Sequence, residues 1–236
     1  MNAKISNPII IVESFKGGVG KSMVAITLLE YFRTQNIPVS LVETGGSQSD
    51  IWRTYNDKIN SFHIDPKEEG GAGLLKLVEV AESNPETLIV NMHADSKCSA
   101  ESNRDAIANR LLSLTRPVFV FFVMGIQKIS VIGLKEALEV YKGADFVVVK
   151  NQKNDEGDEF FKYGEAKEKG EFPRILEIDF PKIHSLISLK ITDHGLPISE
   201  MLEENILGVG EKAALQVWIN TIFKSYELLG LCQKSS

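Results

Sequence analysis

The sequence predicts an α/β fold, doubly wound around a mainly parallel sheet with helices on both faces. Short apolar runs alternate along the chain with amphipathic stretches, which is typical of a parallel sheet wrapped by helices. The runs are apolar throughout, as expected for strands that are covered on both faces. The composition is that of an ordinary globular protein, with 43% hydrophobic and 25% charged residues among 236. That length is enough for one domain with a sizeable core.

The predicted elements follow one another in a regular order. Buried strands are predicted at residues 9–12, 38–42, 88–90, 118–123 and 146–150, with a final strand at 174–180. Apolar residues at helical spacing predict helices at 20–33, 72–82, 102–114, 129–141 and 211–231. The polar segment 151–170 breaks the pattern and is predicted to be a solvated loop and helix. Because no repeat or linker interrupts the chain, residues 1–236 are expected to form a single domain.

The last predicted helix has a broad apolar face. This face contains Leu215, Trp218, Ile219, Ile222, Phe223 and Leu229. Helices that lie on membranes show a similar face, but their polar side usually carries several basic residues. Only Lys212 and Lys224 are available here. We therefore expect this helix to pack against the sheet.

Charge and cysteine content limit the class of partner. The net charge is −6, whereas a protein that coats nucleic acid is expected to be basic. Any DNA contact should therefore be indirect or made through a local patch. Cys98 and Cys232 show no metal-binding spacing, which favours a reduced, intracellular chain. The first residues do not resemble a signal peptide, and the apolar runs are far shorter than the ~20 residues that span a bilayer. We expect a cytoplasmic protein without a membrane partner.

A phosphate-binding loop is predicted at residues 15–23, between the first strand and the first helix. Its glycines allow positive φ and bring backbone N–H groups against phosphate oxygens, and the following helix adds a favourable dipole. Lys21 is expected to reach the β- and γ-phosphates, and the Ser22 hydroxyl is expected to bind Mg²⁺. The binding residues predicted here are Lys16, Gly17, Gly18, Val19, Gly20, Lys21, Ser22 and Met23. The loop therefore predicts a purine nucleoside triphosphate ligand, and we expect ATP with Mg²⁺.

The loop departs from the standard G-x-x-x-x-G-K-[ST] pattern in a specific way. Phe15 stands in place of the first glycine, and Lys16 follows it. The run Lys16-Gly17-Gly18-Val19-Gly20-Lys21-Ser22 resembles the deviant Walker A motif of the ParA/MinD family of ATPases, most closely its plasmid-borne members. The resemblance implies a nucleotide-sandwich homodimer in which Lys16 touches the ATP bound by the partner. It also implies an adaptor or activating protein partner, and a role in segregation, positioning or conjugative transfer.

Two strand ends depart from the family's pattern. Where the family has an Asp-x-Asp pair near Mg²⁺ and the attacking water, this chain reads Glu43-Thr44-Gly45. At the Walker B strand, Asn91 replaces an aspartate, and a neutral amide is a weaker partner for hydrated Mg²⁺. By the resemblance, the catalytic residues are Lys16, Lys21 and Glu43, and the Mg²⁺ ligands are Ser22 and Glu43. We expect slow hydrolysis, which an aspartate at position 45 should accelerate.

Asn151 is the predicted reader of the base. It follows the strand at 146–150, where members of the family place an asparagine that hydrogen-bonds adenine. A guanine-reading Asn-Lys-x-Asp motif would need other residues than Gln152 and Asn154, so ATP is favoured over GTP. A plain strand-end asparagine cap is the alternative for Asn151. The pair Phe180-Pro181 would either edge the base pocket or form a buried turn.

Several further residues leave alternatives open. Asp95 would either face the γ-phosphate or be a solvated loop acid. Trp52 and Tyr55 would either form a partner surface or belong to the core. A structural role is expected for the four histidines, His63, His93, His184 and His194. A nucleotide-sensing adaptor that binds ATP without hydrolysing it is the second functional hypothesis. A metabolic ligase or metal-cluster carrier is a third, disfavoured because no second-substrate motif is present and Cys98 stands alone.

Overall fold

A computed structural model describes residues 7–45, 49–65, 73, 75–93, 101–152 and 160–231. The strands in these residues are β1 (Ile9–Glu13), β2 (Val39–Glu43), β3 (Ser61–His63), β4 (Thr87–Asn91), β5 (Val118–Met124), β6 (Asp145–Asn151) and β7 (Leu176–Phe180). The helices are α1 (Lys21–Thr34), α2 (Asp50–Tyr55), α3 (Leu75–Ser83), α4 (Glu101–Leu112), α5 (Lys128–Val140), α6 (Phe161–Glu168), α7 (Ser185–His194), α8 (Ile198–Glu203) and α9 (Val209–Leu228).

The strands form one sheet in the order β3-β2-β4-β1-β5-β6-β7, and every pairing is parallel. β1 lies between β4 and β5, with Ile9 opposite both Leu88 and Val118. Because the strands are parallel, their carboxyl ends meet at one edge, where open α/β sheets bind their ligands. The predicted doubly wound α/β fold is confirmed.

An apolar core covers each face of the sheet, and β1 contributes to both. Ile10 and Val12 pack with residues of α1, α7 and α9. Ile9 and Ile11 pack on the opposite face with residues of α3, α4 and α5. This division explains why the β1 strand is apolar at consecutive positions and does not alternate with polar residues.

α9 packs against the sheet, as its apolar face predicted. Its buried side chains are Leu215, Trp218, Ile219, Ile222 and Tyr226. The Tyr226 hydroxyl lies 2.8 Å from Thr27 Oγ1 of α1, and its ring lies 6.0 Å from that of Phe121 in β5. Across the described part of the chain, no helix has the length and apolar character needed to cross a bilayer.

Short elements account for the differences from the predicted pattern. β3, α7 and α8 were not predicted, because a strand of three residues or a helix of two to three turns contains too little periodicity. Tyr55 of α2 belongs to the core and donates to Glu30 Oε1 at 3.0 Å. Trp52 is half-buried, with its ring 5.4 Å from that of His63. Within the segment 151–170, α6 is the predicted helix, and residues 153–159 lie outside the described residues.

Candidate functional site

The predicted phosphate loop connects β1 to α1. Its backbone adopts positive φ angles at two glycines, as predicted. Gly18 has φ 76° and Gly20 has φ 102°, values that other residues rarely adopt. Gly20 also caps the amino end of α1. A Cβ atom on Gly20 would overlap the side-chain amide of Asn151. Gly20 is therefore required both by its conformation and by the close approach of β6.

Lys21 lies within the loop and is only 9% exposed. Its Nζ donates to Ser14 Oγ at 2.9 Å and to the Lys16 carbonyl at 3.5 Å. The Ser14 hydroxyl donates to that same carbonyl at 2.9 Å. Ser22 is exposed at the first turn of α1, and Met23 is half-buried beside it. Ser14 was not predicted, since no part of the loop motif specifies the residue before Phe15.

Lys16 lies on the outside of the loop and contacts α5. Its Nζ donates to Gln127 Oε1 at 3.0 Å, at an exposed position. Gln127 caps α5, 111 residues further along the chain, so no motif spacing could have predicted this contact. Phe15 packs on the same helix, against Gly133. A Cβ atom on Gly133 would lie only 2.5 Å from Phe15 Cδ2. The phenylalanine that replaces the first loop glycine is thus accommodated by a glycine on α5.

Glu43 ends β2 and is 1% exposed. Its Oε1 accepts from the Gly45 N–H at 2.7 Å, and its Oε2 accepts from Asn91 Nδ2 at 2.8 Å. Burial raises the pKa of Glu43, while the hydrogen bonds from Asn91, Gly45 and Ser49 act in the opposite direction. Both carboxylate oxygens are therefore already engaged by the protein. A Cβ atom on Gly45 would lie 2.7 Å from Glu43 Oε1, so an aspartate at position 45 would displace Glu43.

Asn91 ends β4 beside Glu43 and is 4% exposed. Its Nδ2 donates to Glu43, whereas its Oδ1 is a buried acceptor without a hydrogen-bond partner. Thr44 joins the two strand ends, because its Oγ1 donates to the Asn91 carbonyl at 3.2 Å and accepts from the His93 N–H at 2.8 Å. A buried acceptor of this kind in native proteins usually binds water or an ion.

Asn151 ends β6 and touches the phosphate loop. Its Nδ2 donates to the Val19 carbonyl at 2.7 Å. The amide oxygen does not take part in this bond and is suited to accept from an amino group, such as that of adenine. Phe180 of β7 lies opposite Asn151 in the sheet. The structure thus places the predicted base reader beside Phe180-Pro181.

These groups surround one cavity of about 710 Å³, a size within the range of roughly 300–1,000 Å³ that is typical of ligand pockets. The cavity extends from the phosphate loop, past Glu43 and Asn91, to the segment that joins β7 to α7. Its lining includes Gly17, Gly18, Gly20, Lys21, Ser22, Met23, Glu43, Asn91, His93, Asn151, Phe180, Pro181, Lys182 and Ile183. Asp95 and Asn154 lie outside the described residues.

The histidines have local contacts. His63 Nε2 lies 2.5 Å from the Gly45 carbonyl, and His184 Nδ1 accepts from the Leu186 N–H at 3.3 Å. Within the residues that the structure covers, no group of three or more His, Cys, Asp or Glu side chains is placed to hold a metal ion. Mg²⁺ commonly takes one or two protein ligands and completes its shell with phosphate and water. Ser22, Glu43 and the free Asn91 Oδ1 fit that sparse arrangement.

Comparison with known proteins supports the fold. No known family profile matches the chain. Protein MobD of Acidithiobacillus ferrooxidans is 27% identical over 230 residues, which cover 94% of this chain and 98% of MobD. The cell division ATPase MinD of Pyrococcus furiosus has a TM-score of 0.57 at 16% identity, covering 94% of this chain and 99% of MinD.

A second structure extends the match. McdA of Cyanothece, in a complex with ATP, has a TM-score of 0.54 at 13% identity. The match covers 99% of this chain and 100% of the McdA chain. At such identities the likeness concerns the fold. The fold of this chain is thus that of MinD and McdA, which agrees with the ParA/MinD resemblance of residues 16–22.

Proposed function

We propose that this protein is an ATP-dependent dimerisation switch that hydrolyses ATP slowly and acts in positioning, plasmid segregation or conjugative transfer. The observation that carries the proposal is the pair of lysines on one loop. Lys21 is buried within the loop, whereas Lys16 is exposed on its outer side. This arrangement suits one lysine acting on the nucleotide of its own chain and the other acting on that of a partner.

Binding uses the loop backbone and Lys21. The N–H groups from Gly18 to Ser22 and the amino end of α1 supply donors and a positive dipole for the β- and γ-phosphates. Lys21 turns from Ser14 Oγ towards the phosphates, and the serine hydroxyl then keeps its bond to the Lys16 carbonyl. Mg²⁺, when bound, neutralises phosphate charge. Ser22 would hold the ion directly, and Glu43 with Asn91 would hold its waters.

Base selection is assigned to Asn151. Its Nδ2 is occupied by the Val19 carbonyl, which orients the amide oxygen as an acceptor. Adenine presents an amino group where guanine presents a carbonyl, so an acceptor at this place favours ATP. The same bond joins β6 to the phosphate loop.

Slow hydrolysis is expected from the hydrogen bonds that the Glu43 carboxylate already accepts from the protein. Attack on the γ-phosphate needs a positioned water and balanced charge. Glu43 is the carboxylate that this strand end offers, and both of its oxygens accept hydrogen bonds from Asn91 and Gly45. These bonds fix the direction of the side chain, so it can order a water only where its remaining acceptor sites point.

The second candidate is a nucleotide-sensing adaptor that binds ATP without hydrolysing it. The neutral Asn91 and the lack of room for an acid at Gly45 favour it. Steady-state phosphate release separates the two functions. A basal rate that Glu43→Ala abolishes supports the switch, and no release above the buffer blank, with or without candidate partners, supports the adaptor.

We further propose that residues 1–236 form a single domain and that two such chains form the homodimer. The dimer would act in the cytoplasm with an adaptor or activating protein. DNA would be reached indirectly or through a local patch, in keeping with the net charge of −6. We propose no membrane partner.

Dimerisation is tested with Lys16→Ala. We expect this variant to bind ATP as a monomer, whereas the wild type becomes a dimer with a non-hydrolysable ATP analogue and stays a monomer with ADP. Light scattering measures the mass in each state. Lys142→Ala is the control, because Lys142 is exposed just beyond the carboxyl end of α5. This variant should dimerise normally. A Lys16→Ala protein that dimerises like the wild type would exclude the proposed role across the interface.

A further inference from the structure

The wall of the cavity at its base side is held from behind by α9. Phe180 and Pro181 line the cavity where β7 ends. Trp218 of α9 approaches this wall from the opposite side. Its Nε1 donates to the Pro181 carbonyl at 2.7 Å, and its ring stands nearly perpendicular to that of Phe180, with centroids 5.6 Å apart. One buried side chain thus contacts both consecutive wall residues.

The wall is also bonded to the strand that carries the base reader. The Gln152 N–H donates to the Phe180 carbonyl at 2.9 Å, directly after Asn151. The carbonyls of Phe180 and Pro181 are therefore both occupied, the first by the Gln152 N–H and the second by Trp218. Without the indole N–H, the Pro181 carbonyl would lose its described donor, and this turn would lose the bond that fixes its orientation.

α9 connects this wall to the helix that follows the phosphate loop. Tyr226, two turns beyond Trp218, has its hydroxyl 2.8 Å from Thr27 Oγ1 of α1. The ring of Tyr226 also packs 5.5 Å from that of Tyr31. One helix therefore contacts both sides of the cavity, through Trp218 at the base end and through Tyr226 behind the phosphate end.

We infer that Trp218 is a positioning residue for the nucleotide base, which it serves by fixing Phe180 and Pro181 from the side away from the ligand. This inference rests on the proposed binding of ATP in this cavity. The phosphate loop lies at the other end of the cavity and makes no described contact with Trp218. Loss of the indole donor should therefore weaken recognition of the base and leave recognition of the triphosphate unchanged.

The test compares ATP with inorganic triphosphate, each with Mg²⁺, by calorimetry. Trp218→Phe keeps an aromatic ring against Phe180 and removes the donor to Pro181. We expect its ATP affinity to fall about three- to tenfold, the range for one lost hydrogen bond, with unchanged affinity for triphosphate. Val217→Ala is the control, because Val217 is 68% exposed at the adjacent position of α9, and neither affinity should change.

Two outcomes would overturn the inference. Equal losses for ATP and triphosphate would show that Trp218 supports the cavity as a whole, and unchanged ATP affinity would show that the wall does not depend on the indole. If the wild type bound neither ligand, the proposed function itself would fail, which is a distinct result.

Fluorescence provides a second measurement should Trp218→Phe not fold. The chain has two tryptophans, so Trp52→Phe leaves the emission of Trp218 alone. We expect ATP with Mg²⁺ to shift this emission and inorganic triphosphate with Mg²⁺ to leave it unchanged. An equal response to both probes, or no response to ATP under conditions where calorimetry shows binding, would contradict the inference.

Discussion

Lys21 holds its ammonium group 2.9 Å from Ser14 Oγ, inside the loop proposed to bind the phosphates. Charge-assisted hydrogen bonds to phosphate are among the strong ones, at about 1.5–3 kcal/mol each. Lys21→Ala removes the cation that serves the β- and γ-phosphates within the same chain, so we expect it to abolish measurable ATP affinity in calorimetry. Lys224→Ala, exposed on α9, is the control. Affinity near the wild-type value in Lys21→Ala would refute the phosphate-loop assignment.

Glu43 gives the stability of the protein a defined dependence on pH. Burial raises its pKa above the ordinary value of 4.5, so the folded protein holds this proton more tightly than the unfolded chain does. The contribution of Glu43 to the free energy of unfolding therefore falls as pH rises from 4.5 through the raised pKa. Glu43→Gln removes this titrating carboxyl group. As pH rises through this range, the free energy of unfolding of the variant should fall less than that of the wild type.

Urea unfolding at intervals from about pH 4 to about pH 7 checks this expectation, since the window starts at the ordinary pKa of a glutamate. Glu136→Gln on the exposed side of α5 is the control and should follow the wild-type curve. Parallel curves for wild type and Glu43→Gln would mean that burial of this carboxylate does not influence folding.

At the scale of elements, α5 supports the phosphate loop because the small Gly133 of the helix leaves room for the large Phe15 of the loop. A Cβ atom on Gly133 would lie 2.5 Å from Phe15 Cδ2 and 2.6 Å from its Cγ. We expect Gly133→Ala to lower the free energy of unfolding by about 1–3 kcal/mol, the usual effect of overpacking. Phe15→Gly should restore stability to Gly133→Ala, because it removes the side chain that clashes.

Denaturant unfolding of the two single variants and the double variant forms a cycle that isolates this contact. Gly164→Ala is the matched control, since Gly164 also lies within a helix but has open space around its Cβ position. This change should raise stability by up to about 1 kcal/mol, as alanine favours helix. Additive effects of Phe15→Gly and Gly133→Ala would show that the two residues do not interact.

The elements that could be predicted from sequence were those with enough length to show a pattern. β5 is apolar over all of its seven residues, and α9 repeats its apolar face over five turns. β3 has three residues and lies at the sheet edge, where neither apolar runs nor periodicity distinguish it from a loop.

The same limit applies to the candidate site. Lys21 was predicted from the spacing of the loop motif, and Glu43 from the family resemblance at the end of the second strand. Gln127 and Trp218 were not, because their partners Lys16 and Pro181 are remote in sequence and no spacing joins them. Such contacts follow from strand order and helix packing, which only the folded chain specifies.

At the scale of the whole molecule, the geometry predicts a protein that keeps its nucleotide for a long time. A displacement of 1 Å at a reacting group is enough to lower a rate about 10²-fold, and the hydrogen bonds from Gly45 and Asn91 already fix the position of the Glu43 carboxylate. The unaided wild type should turn over ATP far more slowly than the median enzyme rate of ~10 s⁻¹. Coupled phosphate-release assays measure this rate.

Glu43→Ala should remove the residual activity. Gly45→Asp should not raise the rate as the sequence alone suggests, because its side chain needs the space of the Glu43 carboxylate. Rapid turnover by the wild type, or an undiminished rate in Glu43→Ala, would show that another group orders the water.

The place of β1 in the sheet has a consequence for how the chain is made. Ile9 pairs with Leu88 on one side and with Val118 on the other, so the first strand to leave the ribosome is completed only after the fifth has been synthesised. At about 5–20 residues per second, the four apolar residues of β1 remain for several seconds without both neighbouring strands. Chains with such distant pairings fold slowly and expose strand edges meanwhile. Nascent chains released before residue 118 should therefore be prone to aggregate and should depend on chaperones.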